Sequence, residues 1–403
     1  MILKSEIEKA FQSQQELIAV ERNFIQRQYL TNYKPDKKHI EVLTGIRRCG
    51  KSTLMQQIAN QFYKKVAYFN FEDSRVFGFE VADFQKLDEI MPKSTDAYFF
   101  DEIQNVEAWE IYIRQLHERG AKVFVTGSNA SLLSRELGTR LTGRHLRHEL
   151  FPFSFIEFLQ FKKIKKSLPA IEKYVEQGGF PEFLESRNRE VLQNLLKDIV
   201  LRDIAIRHSI KNTRVLMDIT LFLISNIGKE YSFNNLKKTF DVGSANTVSN
   251  YLSWLEDAYL LFFLPRFSWS AKNTAVNPRK VYAIDNGLVN ANSLSFSEDK
   301  GRLLENAVYQ FLKQNSNYTL YYFREQKECD FVVFEKRNCK MLIQVCEIIN
   351  GDNKKREIDG LLEAMQYFKM QEGIIITKNQ TDILTIGEFH IKLIAAYDFF
   401  TEY

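Results

Sequence analysis

One short segment combines two glycines, a lysine and a hydroxyl residue at the spacing that phosphate binding requires. Its residues are Gly45, Ile46, Arg47, Arg48, Cys49, Gly50, Lys51, Ser52 and Thr53. In a loop of this form, the glycines let backbone N–H groups turn toward phosphate oxygens, and the helix that follows adds the positive end of its dipole. Lys51 is then expected to reach the β- and γ-phosphates, and the Ser52 hydroxyl to ligate Mg²⁺. The segment predicts a site for ATP with Mg²⁺.

An acidic pair, Asp101 and Glu102, ends a second apolar segment that begins at Ala97. We expect Asp101 to hold the Mg²⁺ shell and Glu102 to polarise the attacking water. A Glu after the Asp favours hydrolysis over phosphoryl transfer to a small molecule. Taken alone, a carboxylate at the solvent end of a buried strand is more often a structural feature, so the assignment depends on the phosphate loop.

Two further groups are candidates for the same chemistry. Ser128 and Asn129 follow a third apolar segment, residues 122–126, where either side chain can orient the water or cap the next helix. Arg140 and Arg144 lie in a cationic stretch after the phosphate-binding core. Each is a candidate arginine finger, in cis or from a neighbouring subunit, and a solvated or DNA-facing patch remains the alternative.

A parallel sheet is needed to bring these groups to one edge. Residues 36–150 alternate short apolar strands with helices, which is typical of a parallel α/β sheet, here of the P-loop NTPase class. Residues 1–35 predict a helix, with apolar residues near helical spacing at Ile7, Phe11, Leu17, Val20 and Phe24. Residues 1–150 are therefore expected to form the ATPase core with an N-terminal helix.

Five motifs together resemble a prokaryotic family of AAA+ ATPases associated with the STAND-like branch. They are the phosphate loop, Phe100-Asp101-Glu102-Ile103-Gln104, Thr126-Gly127-Ser128-Asn129, Leu141-Thr142-Gly143-Arg144 and Gly178-Gly179-Phe180-Pro181-Glu182. The resemblance implies an ATPase core followed by a winged helix and a C-terminal domain that is similar to restriction endonucleases. It extends over nearly the whole chain.

The segments after residue 150 change their periodicity. Residues 151–214 predict a helical lid, and residues 215–297 predict a helix-turn-helix with a wing. In the second of these, Ser244 is expected to cap a helix whose core-facing stripe includes Val248 and Leu252.

The winged helix supplies the candidate DNA-binding residues. They are Asn246, Thr247 and Asn250 at the start of the second helix, with Lys272, Arg279 and Lys280 on the wing. The helix positions include no Arg or Lys, so strong base-specific reading is not expected, whereas the wing cations are suited to phosphates. A structural or protein-docking role for this domain stays open.

Residues 298–403 follow the order of helix and strands that resembles the PD-(D/E)xK nuclease fold. Asp330 matches its first carboxylate, and Glu305 is placed as the acid of the helix. Where Glu-x-Lys is expected, the chain has Gln344, Val345 and Cys346. Neutral Gln is a poor ligand for Mg²⁺. We therefore expect this domain to bind or dock without cutting.

Composition limits the alternatives. The 403 residues carry a net charge of only +4, so a nucleic-acid surface has to be local. The cysteines at 49, 329, 339 and 346 have neither metal-ligand nor disulfide spacing, which favours a reducing cytoplasm. The start of the sequence has no secretory pattern, and no apolar run is long enough for a membrane span.

Two functions from different classes follow. The first is an ATPase that works as a homo-oligomer on DNA, including branched or junction DNA. The second is a STAND-like switch, in which bound nucleotide controls contact with a protein partner without DNA translocation. The oligomeric state, the preferred DNA structure and the pathway stay open at this point.

Overall fold

A computed structural model of the protein describes residues 2–19, 24–36, 38–129, 143–295 and 299–403. The chain forms two compact units, Met1–Phe151 and Pro152–Tyr403. Among the described residues, every helix is too short or too polar to cross a membrane.

A parallel sheet organises the first unit. Its strands are β1 Ile40–Thr44, β2 Val66–Asn70, β3 Ala97–Asp101, β4 Val123–Gly127 and β5 His145–Glu149. Their order is β2-β3-β4-β1-β5, and each neighbouring pair is parallel. The carboxyl ends of parallel strands meet at one edge, which is where ligands bind in such sheets. The arrangement confirms the predicted P-loop NTPase fold class.

Helices surround this sheet. In the described part of the first unit, the α-helices are α1 Lys4–Ala19, α2 Lys51–Phe62, α3 Phe84–Ile90 and α4 Trp109–Glu118. The prediction of one helix over residues 1–35 is partly wrong, because residues 24–27 are not helical and Gln28–Thr31 is a short 3₁₀ helix. Two of the apolar residues that predicted a buried helix face are not buried, since Leu17 is 52% and Phe24 is 40% exposed.

Aromatic side chains form much of the core beside β2 and β3. Phe69, Phe71, Phe84 and Phe100 are buried, and the ring of Phe84 stacks on Tyr112 with centroids 4.2 Å apart. Burying one such ring contributes roughly 2 kcal/mol. This packing fixes the position of β3, which ends at Asp101.

The second unit begins with a run of helices. They are α5 Phe155–Lys162, α6 Leu168–Gln177, α7 Pro181–Ser186, α8 Arg189–Asp198, a π-helical segment Ile199–Ile206 and α9 Thr213–Ile224. Ser154 caps the first of them, with its hydroxyl accepting the Glu157 N–H. The helical character predicted for this stretch is thus observed.

A small antiparallel sheet follows. The elements in chain order are β6 Glu230–Tyr231, α10 Phe233–Thr239, α11 Ala245–Asp257, β7 Leu261–Pro265, α12 Ala271–Val276, β8 Arg279–Ala283 and α13 Asn286–Asn292. The strand order is β6-β8-β7. Ser244 caps α11 as expected, because its hydroxyl accepts the Thr247 N–H at 3.0 Å. The segment between β7 and β8, residues 266–278, is called the wing loop below.

The Gly178-Gly179 motif has a packing role in this unit. Gly178 adopts φ 70°, and a Cβ there would lie 2.2 Å from Asp285 Oδ1. The Asp285 carboxylate accepts the N–H of Gly179 at 2.6 Å and that of Leu288 at 3.0 Å. Burial raises the pKa of Asp285 to about 6. Only glycine fits where the carboxylate comes this close to the backbone.

A six-stranded mixed sheet completes the chain. Its elements are α14 Lys300–Lys313, β9 Tyr318–Arg324, β10 Glu328–Glu335, β11 Asn338–Val345, α15 Lys354–Phe368, β12 Glu372–Thr377, β13 Asp382–Ile386, β14 Phe389–Ala395 and α16 Ala396–Glu402. The strand order is β13-β14-β12-β11-β10-β9. The helix followed by strands that was expected for residues 298–403 is observed, and β13 and α16 are additional elements that the sequence pattern missed.

Candidate functional site

The phosphate loop connects β1 to α2 at the carboxyl edge of the first sheet. Gly45 has φ 148°, and a Cβ there would lie 2.1 Å from the carbonyl oxygen of Leu150. Gly50 has φ 98° and directly precedes Lys51, the first residue of α2. Both glycines therefore hold conformations that a side chain would oppose. The helix N-terminus faces the loop, as an anion-binding site requires.

Lys51 is the cation of this site and is only 4% exposed. Its ammonium donates to the carbonyl oxygens of Gly45 and Ile46, each at 3.2 Å. It also lies 3.5 Å from Glu102 Oε1. Burial is the largest single influence and by itself would lower the pKa of Lys51, but the nearby negative groups, Glu102 first among them, together raise it. The lysine is thus charged before any phosphate is bound.

Asp101 is fully buried among hydroxyl groups at the end of β3. The Tyr68 hydroxyl donates to Asp101 Oδ2 at 2.8 Å, the Thr126 hydroxyl donates to Oδ1, and Ser52 adds a further hydrogen bond. Burial, and then the negative charge of Glu102, raise the pKa of Asp101. The oxygens of the Ser52 hydroxyl and the Asp101 carboxylate lie within hydrogen-bond distance of each other. Oxygen ligands of this kind are those that Mg²⁺ prefers.

Glu102 follows β3 in a left-handed conformation, with φ 52°. Its N–H donates to Thr126 Oγ1 at 2.9 Å, and the Gln104 amide donates to its carboxylate at 2.5 Å. Burial is the largest single influence and by itself would raise the pKa of Glu102, but the charge of Lys51, the Gln104 hydrogen bond and the charge of Arg47 together lower it. A carboxylate that stays ionised at neutral pH can accept a proton from water.

The side chains of the remaining loop residues make contacts that stabilise the loop or face solvent. Arg47 pairs with Glu72, and Arg48 adopts φ 64° on the exposed side of the loop. Cys49 is buried, and its thiol donates to the carbonyl oxygen of Leu150 at 3.4 Å. Its pKa is raised by burial, so it is inert rather than nucleophilic.

Ser128 and Asn129 come directly after β4, between β1 and β3 in the sheet. Both side chains are buried, at 8% and 3% exposure. The parallel order of the strands therefore brings them to the same edge as the phosphate loop and the acidic pair. Whether the side chains of Ser128 and Asn129 orient water or cap the next helix stays open, because residues 130–142 lie outside the described residues.

Arg144 lies at the opposite edge of the sheet. It precedes β5, whose first residue, His145, pairs with Ile40 at the start of β1. The length of β1 separates it from the phosphate loop by roughly 16 Å. Its guanidinium contacts Glu118 at 2.9 Å. Of the alternatives left open for Arg144, the distance from the phosphate loop argues against a finger in cis, while Arg140 lies outside the described residues.

Three residues that sequence reasoning missed support the site. Tyr68 and Thr126 hold Asp101, as described above. Arg27 donates to the carbonyl oxygens of Cys49 at 2.8 Å and Phe151 at 2.7 Å, which ties the N-terminal segment to the loop. A hydroxyl residue at the carboxyl end of a parallel strand was a usable signal for Thr126. Nothing in the sequence distinguished Arg27, which is buried, from the cations on the surface of the protein.

A cavity of about 530 Å³ opens beside the start of α2. Ser52, Thr53, Tyr68 and Asn70 contribute polar groups to its wall, and α1 contributes apolar side chains such as Ile18. The site thus has open space next to the predicted magnesium ligand.

In the second unit, the start of α11 carries the polar residues predicted to face DNA. Asn246 and Asn250 are exposed and Thr247 is half-buried. The stripe on the other face is buried as predicted, at Val248, Leu252, Leu255 and Ala258. The exposed helix start is therefore available to a partner.

The wing cations separate into two groups. Lys272 is exposed on α12 and Arg279 is half-buried at the start of β8. Lys280 is only 2% exposed, and its ammonium lies 2.7 Å from Glu328, 2.9 Å from Asp330 and 3.2 Å from Glu305. The expectation that Lys280 grips DNA is therefore wrong, because alternation along β8 turns its side chain inward.

Two of the three acidic residues around Lys280, Asp330 and Glu305, are those singled out as nuclease-like, and the third, Glu328, was not predicted. Burial alone would lower the pKa of Lys280, but the charges of Asp330 and Glu305 outweigh burial and raise it well above its ordinary value. Gln344 donates from its amide to Glu357 at 2.8 Å and accepts the Asp330 N–H at 3.3 Å. Glu357, from α15, was missed by the sequence pattern. A lysine occupies the centre of this acidic group.

Comparison with known proteins agrees with the geometry of the first unit. Residues 37–159 match the family model described as an AAA domain, and residues 168–299 match a domain of unknown function, DUF8612. The AAA match contains the phosphate loop, the acidic pair and residues 128–129. The nucleotide-binding assignment of this unit is thus supported independently of the contacts.

Relatives extend over most of the chain. The uncharacterized protein MJ1544 of Methanocaldococcus jannaschii is 38% identical over 379 residues, covering 88% of this chain and 84% of that protein. An uncharacterized protein of Haemophilus influenzae is 31% identical over 369 residues, covering 86% and 91%. The solved Walker-type ATPase PABY2304 of Pyrococcus abyssi is 14% identical, with a TM-score of 0.38 over 72% of this chain and 95% of that one.

Proposed function

We propose that this chain, which belongs to the same protein family as MJ1544 of Methanocaldococcus jannaschii, is a magnesium-dependent AAA-type ATPase that acts on DNA. One observation carries the proposal: the phosphate loop meets the acidic pair at a single sheet edge. There Ser52 hydrogen-bonds Asp101, and the Lys51 ammonium lies 3.5 Å from Glu102 Oε1. Such a combination is the machinery of ATP hydrolysis.

Each residue has a separate task in the proposed reaction. Backbone N–H groups of the loop bind phosphate oxygens, and Lys51 exchanges its carbonyl partners for the β- and γ-phosphates. The ionised Glu102 carboxylate orients water and accepts its proton. When bound, Mg²⁺ would be held by Ser52 and by Asp101, directly or through water, and would supply charge neutralisation at the phosphates.

Further assistance is assigned to two polar groups at this edge and to an arginine. Ser128 and Asn129 are proposed to orient the water, since both follow β4 at the edge. An arginine finger is proposed to come from a second copy, with Arg140 and Arg144 as candidates. Mixing Arg144→Ala with a hydrolysis-dead partner tests this: rescue of turnover supports action across subunits and a homo-oligomer.

The proposed DNA surface lies in the second unit. Support comes from the exposed Asn246 and Asn250 at the start of α11 and from the exposed Lys272 in the wing loop. An ammonium that binds phosphate makes affinity fall steeply with salt. A positive surface without an arginine at the helix start suits backbone binding rather than sequence reading.

The C-terminal six-stranded sheet is proposed to bind or dock without cutting DNA. Support comes from Lys280, whose ammonium fills the centre of the acidic group that includes Asp330 and Glu305. Gln344 adds a neutral amide where a carboxylate would be needed. Incubation with Mg²⁺ or Mn²⁺ and several DNA forms is the check, and cleavage lost on Asp330→Ala would overturn this assignment.

A second candidate is a nucleotide-dependent switch that contacts a protein partner. It is favoured by the internal partners of Lys51, which already satisfies the carbonyl oxygens of Gly45 and Ile46. A triphosphate has to displace these contacts, so its binding changes the hydrogen bonds that hold the loop. The partner is then selected by the rearranged state.

One series separates the two candidates. ATP turnover is measured with no DNA, with single strands, with duplex and with a four-way junction. Stimulation by DNA, together with salt-sensitive binding, supports the DNA-acting ATPase. Slow turnover that no DNA form changes would support the switch instead.

A further inference from the structure

We infer that an aromatic face formed by the wing loop and the end of α15 stacks on unpaired bases of DNA. The face consists of Phe267, Trp269, Tyr367 and Phe368. The inference rests on the proposed action on DNA and names the part of the substrate that this surface takes.

The four rings form one connected group. The Phe267 centroid lies 5.0 Å from that of Trp269 and 4.8 Å from that of Phe368, and Tyr367 lies 5.0 Å from Phe368. Phe267 also stacks on Phe334 at 5.3 Å, which anchors the loop on the six-stranded sheet. The wing loop is therefore held in place by packing, and the outer rings are presented on a firm base.

The two outer rings face solvent. Trp269 is 72% and Tyr367 is 37% exposed, whereas Phe267 and Phe368 are half-buried beneath them. A large indole ring left in water costs stability that burial would recover. Its edge contact with Phe267 leaves most of the indole uncovered, so a flat aromatic surface is available to a ligand.

The charge of the wing loop, which forms one half of the face, fits a phosphate backbone. Residues 265–281 contain Arg266, Lys272, Arg279 and Lys280 and no Asp or Glu. Lys280 is buried, but Lys272 is exposed. Glu363, one turn before Tyr367 on α15, keeps its negative charge, and its carboxylate is directed to the turn after β9, where it accepts the N–H groups of Gln326 at 2.9 Å and Lys327 at 2.7 Å. Aromatic rings beside cations are the usual combination for single strands.

Unpaired bases fit better than an intact duplex. Bases inside a duplex already stack on their neighbours and present only their edges to a protein. The exposed residues at the start of α11 lack the cations that read those edges well. A ring 72% exposed instead matches a base that has left the stack. A wholly apolar protein segment fits less well, because the surrounding loop is cationic.

Fluorescence of the protein gives a direct signal. The chain has three tryptophans. Trp109 is fully buried and Trp254 stacks on His208 at 4.1 Å, so Trp269 is the solvent-exposed indole. Quenching by added oligothymidine that Trp269→Phe removes would report stacking at this ring.

The deciding experiment uses two oligonucleotides with the same phosphates. One is oligothymidine of about 16 nucleotides, and the other has abasic sites in place of its bases. The full-length protein should bind oligothymidine about tenfold or more tightly than the abasic strand. Trp269→Ala should bring that ratio close to one, and Trp269→Phe should retain most of it. Val276→Ala is the matched control, because Val276 is 74% exposed in the same loop.

The outcomes distinguish this inference from the proposed function. Equal wild-type affinity for both strands, or a ratio that Trp269→Ala leaves intact, overturns the inference while duplex or junction binding still supports DNA action. Failure to bind any DNA form overturns both. A Trp269→Ala variant that changes self-association but not the ratio would assign the face to protein contact and overturn the inference.

Discussion

The Lys51 ammonium lies 3.5 Å from Glu102 Oε1, so the phosphate loop and the residue after β3 form an ion pair across the site. Each charge changes the pKa of the other, lowering that of Glu102 and raising that of Lys51. A triphosphate would compete with Glu102 for the lysine. The carboxylate thereby becomes available to water when phosphate is bound.

Lys51→Ala should abolish productive ATP binding, because the β- and γ-phosphates lose their cation. Isothermal titration with Mg²⁺ and ATP is the measurement. Lys64→Ala is the control, since Lys64 is an exposed lysine just beyond the end of α2. Wild-type affinity in the Lys51→Ala protein would remove the lysine from the assigned role.

Gly45→Ala should weaken both the fold of the loop and ATP binding. The added Cβ would lie 2.1 Å from the Leu150 carbonyl oxygen, at a φ of 148°. We expect a loss of about 1–3 kcal/mol in the free energy of unfolding. Denaturant unfolding of Gly351→Ala provides the comparison, because a Cβ at Gly351 meets nothing within 4 Å. Equal stability of the two variants would contradict the account.

Lys280→Met should destabilise the second unit rather than weaken DNA binding directly. It leaves Asp330 and Glu305 buried without their cation, which costs about 3–5 kcal/mol in the free energy of unfolding. Lys272→Met, at an exposed position, should leave stability nearly unchanged and reduce DNA affinity. The reverse result, a stable Lys280→Met protein with weakened DNA binding, would return Lys280 to the DNA surface.

Asp285 should make stability depend on pH. Its pKa of about 6 in the folded chain lies above the ordinary value of 3.8, so the folded state holds an extra proton between these values. Its contribution is complete below pH 3.8 and is lost as pH rises through 6. Relative to Asp285→Asn, the wild type should lose about 2 kcal/mol of unfolding free energy between about pH 4.5 and 7.5. Denaturant titrations at both pH values give the difference, and a constant difference would refute the assignment.

The sheet and the phosphate loop were predictable because local patterns determine them. Apolar segments followed by Gly45 or by Asp101 locate strand ends, and parallel strands bring those ends together. Besides Ser52, the hydroxyls of Tyr68 and Thr126 hold Asp101, and their pairing with it depends on the order β2-β3-β4, which a single sequence does not display even where Thr126 is recognised as a strand-end hydroxyl.

Lys280 and Arg144 show where charge alone misleads. The sequence identifies both residues as cations. It does not show which way the side chain of Lys280 points from its strand, or at which edge of the sheet the strand after Arg144 begins. Lys280 points inward to carboxylates that are distant in the chain. Arg144 precedes a strand that runs parallel to β1, which places it away from the loop.

The most direct test of the central claim is ATP turnover by Glu102→Gln beside the wild type at millimolar ATP with Mg²⁺. We expect the wild type to hydrolyse ATP. We expect the variant to bind ATP but to hydrolyse it roughly a hundredfold or more slowly. Turnover by Glu102→Gln at the wild-type rate, or a wild type with neither occupancy nor turnover, would contradict the central claim.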